Sequence, residues 1–194
     1  MITGEHVALG PMRRELLPLY QRWYNDLSMY RTEWPQSARP HTLEEMEVWY
    51  DQWATASPSQ RINFTVYLLG DWRAIGTTSL HGIDLWVQTA QFGITIGDPA
   101  DRGHGYGTEA ARLTLDYAFT VLGMHNVSLS ALAYNRRGLR CFEHAGFKEF
   151  GRRREAALLN GRRYDGVYMD CLAREFTSPV LAKVFHPDVK GTDA

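Results

Sequence analysis

The chain has 194 residues, 44% of them hydrophobic and 22% charged, the makeup of one soluble globular domain large enough for a full core. Lys plus Arg number 21 against 22 Asp plus Glu, a net charge of −1 that argues against general affinity for nucleic acid or an anionic membrane. No apolar run nears the roughly 20 residues of a membrane span. The opening MITGEHVALGPMRRELL lacks the basic-then-apolar order of a secretion signal. Cys141 and Cys171 lie far apart without a CxxC, so neither a zinc site nor a disulfide framework is indicated. A cytoplasmic, metal-free protein is expected.

Residues 11–58 read as helical and aromatic, with Trp23, Tyr24, Tyr30, Trp34, Trp49, Tyr50 and Trp53. Thr42-Leu-Glu-Glu45 is a capping box that opens a helix through about Ala56. Strand patterning begins at Asn63. NFTVYLL and RAIGTTSLHGI flank a turn at Gly70-Asp71 and predict a hairpin. TAQFGITI (Thr89 to Ile96) is a third strand that stops at Gly97-Asp98-Pro99. After a glycine loop, Ala111, Leu115, Ala118 and Leu122 mark one face of a helix. VSLSALAY predicts a strand, Arg137–Ala145 a short helix, and Gly146 its C-cap. Phe147–Leu159 and Arg162–Leu172 flank Asn160-Gly161, a strong hairpin signal. One domain over residues 1–172 is expected, with a peripheral tail over 173–194.

The loop PADRGHGYGTEA joins a strand to a helix N-terminus. A helix start carries unpaired N–H groups and partial positive charge, a ready anion site. Gly103, Gly105 and Gly107 remove the Cβ atoms that would hold a phosphate away, and Arg102 offers a charge to the same anion. A tight turn that needs glycine for its angles alone is the other reading. GxGxG is not GxGxxG, and no Lys-Ser/Thr follows, so a dinucleotide fold and a nucleoside-triphosphate loop both fail.

Arg102-Gly-His-Gly105-Tyr-Gly107 resembles the [Q/R]-x-x-G-x-[G/A] pyrophosphate loop of the GNAT acyl-CoA N-acetyltransferases. Asn135-Arg-Arg-Gly-Leu-Arg-Cys-Phe-Glu-His-Ala-Gly146-Phe147 resembles that superfamily's second segment, and GYGTEAARLTLDYAFTVLGMHNV is similar to its spermidine and ribosomal-protein N-terminal acetyltransferase branch. The resemblance covers residues 76–172 well. It implies an α/β (α+β) fold whose mixed, mostly antiparallel sheet splays open to hold acetyl-CoA. It further implies that backbone of Ile94, Thr95 and Ile96 pairs with the pantetheine. By the same likeness, N–H groups from Arg102 through Gly103, His104, Gly105, Tyr106 and Gly107 to Thr108 hold the pyrophosphate. Asn135 would sit near the pantetheine arm, and Arg140 would reach the adenosine phosphates or stand as a solvated helix arginine.

Acetyl transfer to a primary amine needs the amine neutral, which at pH 7.4 costs about 4 kcal/mol for a pKa near 10.4. A proton acceptor is therefore required. The family often has glutamate where this chain has Gln91, and tyrosine where it has Phe142, so the usual base and acid are missing. Glu33 and His81 are the expected catalytic substitutes, with Asp84 and Cys141 behind them; a solvated loop acid, a strand-end histidine, a turn aspartate and a small buried helix residue are the plain readings of the four. The acceptor stays open among polyamine, peptide N-terminus, aminoglycoside and other metabolites. Glu44, Glu45, Glu47 and Asp51 cluster as a polycation site would, but a helix start favours acids anyway. A catalytically silent acyl-CoA-binding module is the alternative function, and a module anchoring another nucleotide by its phosphate is a third. The terminal hairpin edge suggests a homodimer.

Overall fold

The computed structural model describes residues 1–30, 39–55 and 60–185. Its centre is one eight-stranded mixed sheet in the order β1-β2-β3-β4-β5-β6-β8-β7. The strands are β1 (Ile2–Thr3), β2 (Val7–Pro11), β3 (Arg61–Leu68), β4 (Ala74–Asp84), β5 (Thr89–Ile96), β6 (Asn126–Leu132), β7 (Lys148–Leu159) and β8 (Arg162–Leu172). The helices are α1 (Leu17–Tyr24), α2 (Leu27–Tyr30), α3 (Leu43–Thr55), α4 (Tyr106–Asp116), α5 (Arg136–Ala145) and α6 (Leu181–Val184). Every strand pair is antiparallel except β5 with β6.

Strand alternation sorts the two faces of the sheet. On one face Val66 of β3 joins Leu113 of α4 in a buried cluster, and Phe64 meets Tyr117 edge-on at 5.2 Å. Thr78 of β4 shares a 3.0 Å hydrogen bond with Thr114 of α4 on this side. On the other face the buried Thr65 hydroxyl bonds Tyr20 of α1 at 2.6 Å. α1 and α3 close that side through Leu17, Tyr20, Trp23 and Met46. Burial pushes the Tyr20 phenol up to about 12, so it stays a neutral partner.

Local chemistry explains most of the elements. Thr42 and Glu45 exchange the two hydrogen bonds of a capping box at 3.2 and 3.3 Å. Gly146, at φ +115°, caps α5 in the left-handed region. Asn160 and Gly161 both have positive φ, as a two-residue hairpin turn between antiparallel strands requires.

Four features depart from the sequence reading. β1 and β2 precede the helical region and pair onto the β3 edge. β3 begins at Arg61, two residues earlier than expected. The helix of α4 widens into a π-type turn over Tyr117–Val121 instead of running regularly to Leu122. Residues 176–181, in the segment expected to be peripheral, dock on that turn. The Asp116 carboxylate, fully buried, accepts the N–H groups of Val180 and Leu181 at 3.0 and 2.8 Å and the Thr120 hydroxyl at 2.9 Å, while the Phe176 ring packs at a tilt against Phe119 at 5.3 Å.

Candidate active site

Parallel pairing between β5 and β6 lasts for three residues, Thr89 to Gln91 against Asn126 to Ser128. Beyond them the strands part. Phe92–Ile96 stays paired to β4, and Leu129–Leu132 stays paired to β8, so the facing edges open into a wedge. A cleft of about 1180 Å³ occupies this wedge and continues over the α1/α3 face of the sheet. Ile94, Thr95 and Ile96 line one wall, and Leu129, Ser130 and Ala131 line the other. Among the described residues no strand pairs with β5 on this side beyond Gln91, the geometry β-augmentation uses.

The glycine loop closes one end. No described residue accepts a hydrogen bond from any backbone N–H between Gly103 and Thr108, six consecutive donors at the start of α4. Gly105 has φ +86°, and a Cβ placed on it would meet nothing within 4 Å. The space in front of the donors is open. Gly107 is different: a Cβ there would only touch Cys141 and Ile96 at 3.5 Å, so alanine fits. This cradle suits a diphosphate.

Arg102 has another duty than the one expected. Its own N–H donates to Pro99, and its guanidinium donates to the carbonyls of Ile96 and Gly97 at 3.0 and 2.5 Å. It therefore fixes the strand-to-loop corner. His104 bonds the Ala100 carbonyl at 3.1 Å and stacks on Tyr106. Arg137 was missed by sequence reasoning. Its guanidinium hangs over the loop, with Nη2 2.9 Å from where a Gly103 Cβ would stand. Arg140 also lines the cleft and is exposed. Asn135 caps α5 by accepting the Gly138 N–H at 3.0 Å, and it too lines the cleft.

The floor of the cleft is a polar grid. Arg61, His81 and Gln91 stand opposite one another across β3, β4 and β5; Asn63, Ser79 and Gly93 form the next row. Directly opposed residues share a face, so these side chains point into one space. Burial first, and the nearby Arg61 charge second, hold the His81 imidazole below its ordinary pKa against the raising effect of a hydrogen bond with Gln91. The ring is therefore neutral at pH 7. Its Nδ1 is buried and unpartnered among the described residues. Phe142 lies edge-on to Phe92 and Phe147, both at 6.2 Å, and supplies no hydroxyl to the cleft.

Of the other expected residues, Glu33 lies outside the described residues. Asp84 caps the β4–β5 turn by accepting the N–H groups of Trp86 and Val87. Cys141, its thiol pushed up by burial, accepts a hydrogen bond from Thr108 at 3.4 Å and ties α5 to α4. Among the described residues no three His, Cys, Asp or Glu side chains are placed to hold a metal ion. Likewise no described helix is long and apolar enough to cross a membrane.

Residues 6–148 match the acetyltransferase (GNAT) domain family. The Bacillus subtilis (strain 168) protein YjcK is 37% identical over 103 residues, 53% of this chain and 56% of that one, so the match spans about half of that relative. The spermidine N(1)-acetyltransferase of Escherichia coli (strain K12) is 28% identical over 171 residues, 87% of each chain. The crystal structure of spermidine N-acetyltransferase from Vibrio cholerae, in complex with CoA and spermine, superposes with a TM-score of 0.79 at 24% identity, covering 89% of this chain and 98% of that one. At that identity the likeness is one of fold.

Proposed function

This chain belongs to the GNAT acetyltransferase family, and from that premise we propose that it moves the acetyl group of acetyl-CoA to a primary amine by direct attack on the thioester. The observation that carries the reading is the wedge between β5 and β6 ending at six N–H groups with no acceptor among the described residues. Gly103 to Thr108, with Arg137 over them and Arg140 along the cleft, would hold the phosphates, and the β5 edge at Ile94–Ile96 would hold the pantetheine.

The chain's own residues then act at the closed end of the wedge. The amine nitrogen bonds to the acetyl carbon, the carbon–sulfur bond breaks, and CoA leaves as a thiolate that takes a proton from solvent. His81 accepts the proton that the amine sheds, directly or through one water. Gln91 orients the imidazole through their hydrogen bond and takes no proton itself. With Phe142 in place of a phenol, thiolate departure relies on solvent.

Spermidine, the substrate named for the relatives, is the first acceptor to assay. Thiol release from acetyl-CoA with a panel of primary amines tests the reading. Amine-dependent release supports it, and CoA binding without release on any amine favours a silent acyl-CoA-binding module instead. A cytoplasmic homodimer belongs to the same proposal. β7 is the outermost strand, with Phe150 and Leu158 exposed along it, an edge suited to pairing with a second copy. A monomer mass by light scattering at tens of micromolar contradicts the dimer.

A further inference from the structure

Arg61 is the first residue of β3, directly opposite His81, which is directly opposite Gln91. Gln91 is the last β5 residue paired with β6, so this row crosses the sheet where the wedge closes. From there β5 runs five residues to Ile96 before the glycine loop, about 17 Å at the usual strand rise. Arg61 lies two strands to the other side of β5 from β6. It faces the region from which an acceptor would approach, far from the phosphate cradle.

Its guanidinium is half-buried. Nε donates to Asn63 Oδ1 at 2.8 Å, and the group lies over the Trp53 ring at 5.2 Å. Among the described residues no carboxylate pairs with it. Burial without a counter-charge holds its pKa below the ordinary value, and a buried cation of this kind gains most from an anion delivered by a ligand. With Nε engaged, the two Nη groups remain as a fork for a carboxylate.

The cleft offers a polycation little. Asp101 is the single carboxylate among its described lining residues; it lies at the loop end and is bound by Arg73 through two hydrogen bonds at 2.7 and 2.5 Å. The acids of α3 do not line it. Glu45 serves the capping box and Arg39, and Asp51 pairs with Arg14. What borders Arg61 instead is an aromatic wall of Tyr24, Trp49 and Trp53.

Building on the acetyl-transfer reading above, we propose that the acceptor is a primary amine carrying its own carboxylate, an amino acid with an apolar body, whose carboxylate is gripped by Arg61 while its body rests on the aromatic wall. Arg61 thereby sets specificity for an anionic amine over a polyamine.

The test uses the full chain saturated with CoA and calorimetry of matched pairs: L-phenylalanine, L-leucine and 6-aminohexanoate, each against its carboxamide, with spermidine and O-phosphoethanolamine alongside. At least one acid is expected to bind ten times tighter than its carboxamide and than spermidine. Arg61→Gln should cut that preference below twofold, and Arg61→Lys should keep part of it. CoA affinity of each variant, measured alone, verifies the fold. If no acid outranks its carboxamide, if spermidine or O-phosphoethanolamine binds tightest, or if Arg61→Gln keeps the preference, the proposal is overturned. Titration of acetyl-CoA without any amine reports on the underlying acetyl-transfer reading separately, since that binding does not involve Arg61.

Discussion

Arg73 of the β3–β4 turn region forks onto both carboxylate oxygens of Asp101, at 2.7 and 2.5 Å, and so ties the sheet to the turn that launches the glycine loop. Asp101 is buried, whereas Arg73 is about half exposed. Removing the guanidinium strands a buried carboxylate, but water reaches the site. Arg73→Gln is therefore expected to cost about 1–3 kcal/mol. The sign with pH follows from Asp101, whose carboxyl Arg73 holds below its usual value. That stabilisation is complete above the unfolded carboxyl pKa and is lost as pH falls through the folded one. Thermal melts of both proteins from pH 7 to pH 2.5 should show a gap that narrows on the acid side. A gap independent of pH contradicts the assignment.

His81 gives a second pH signature. Its folded pKa lies below 6.5, so the fold favours the neutral ring. The associated stability is complete above the unfolded pKa and declines as pH falls through it toward the folded pKa. As a base, His81 should give kcat/KM an acid limb below pH 6.5 rather than above it. His81→Ala should lower kcat/KM at least tenfold and abolish that limb, leaving a rate that climbs with the supply of neutral amine. Steady-state kinetics from pH 5.5 to 10 on a working acceptor decides this. An unchanged rate and profile would remove His81 from the mechanism, whereas Gln91→Glu should be tolerated.

Phe142 and Asp116 test the packing. Phe142 is partly exposed to the cleft while its ring meets Phe92 and Phe147. Truncation to alanine should cost about 2–3 kcal/mol, less than a fully buried phenylalanine. Phe142→Tyr should be close to neutral in the same melts, since the residue lines the cleft and is not fully buried.

Asp116→Ala should do more than destabilise α4. It removes the acceptor for Val180, Leu181 and Thr120, and about 2–4 kcal/mol is expected from the stranded donors. Amide exchange of residues 176–185 should rise well beyond the rest of the chain. Protection that stays uniform would mean the segment is held by Phe176 and Leu181 packing alone.

The parts of this fold readable in the sequence are those fixed by local chemistry. Thr42 and Glu45, Gly146, and Asn160-Gly161 each impose a backbone geometry on their own, and the glycine loop announces, by the side chains it lacks, the open space in front of Gly105. β2 escaped because VALGP is too short to alternate and earns its place only by pairing with β3. Sequence alone points Arg102 at an anion because charge is visible in one dimension, while its engagement by the Ile96 and Gly97 carbonyls is not. Arg61 and Arg137 were overlooked for the same reason. One is an ordinary strand-end arginine until the register sets it beside His81, and the other gains meaning only when α5 folds back over Gly103.

Acetyl-CoA binding to Gly105→Asp beside Gly105→Asn, read by calorimetry, decides whether the loop holds the pyrophosphate. Both side chains tolerate a positive φ and enter the same open space, so the pair differs in charge alone. Gly105→Asp, still folded by its melting temperature, is expected to bind at least a hundredfold more weakly than wild type and at least tenfold more weakly than Gly105→Asn. Wild-type affinity in a folded Gly105→Asp protein would contradict the assignment of the loop as the pyrophosphate cradle.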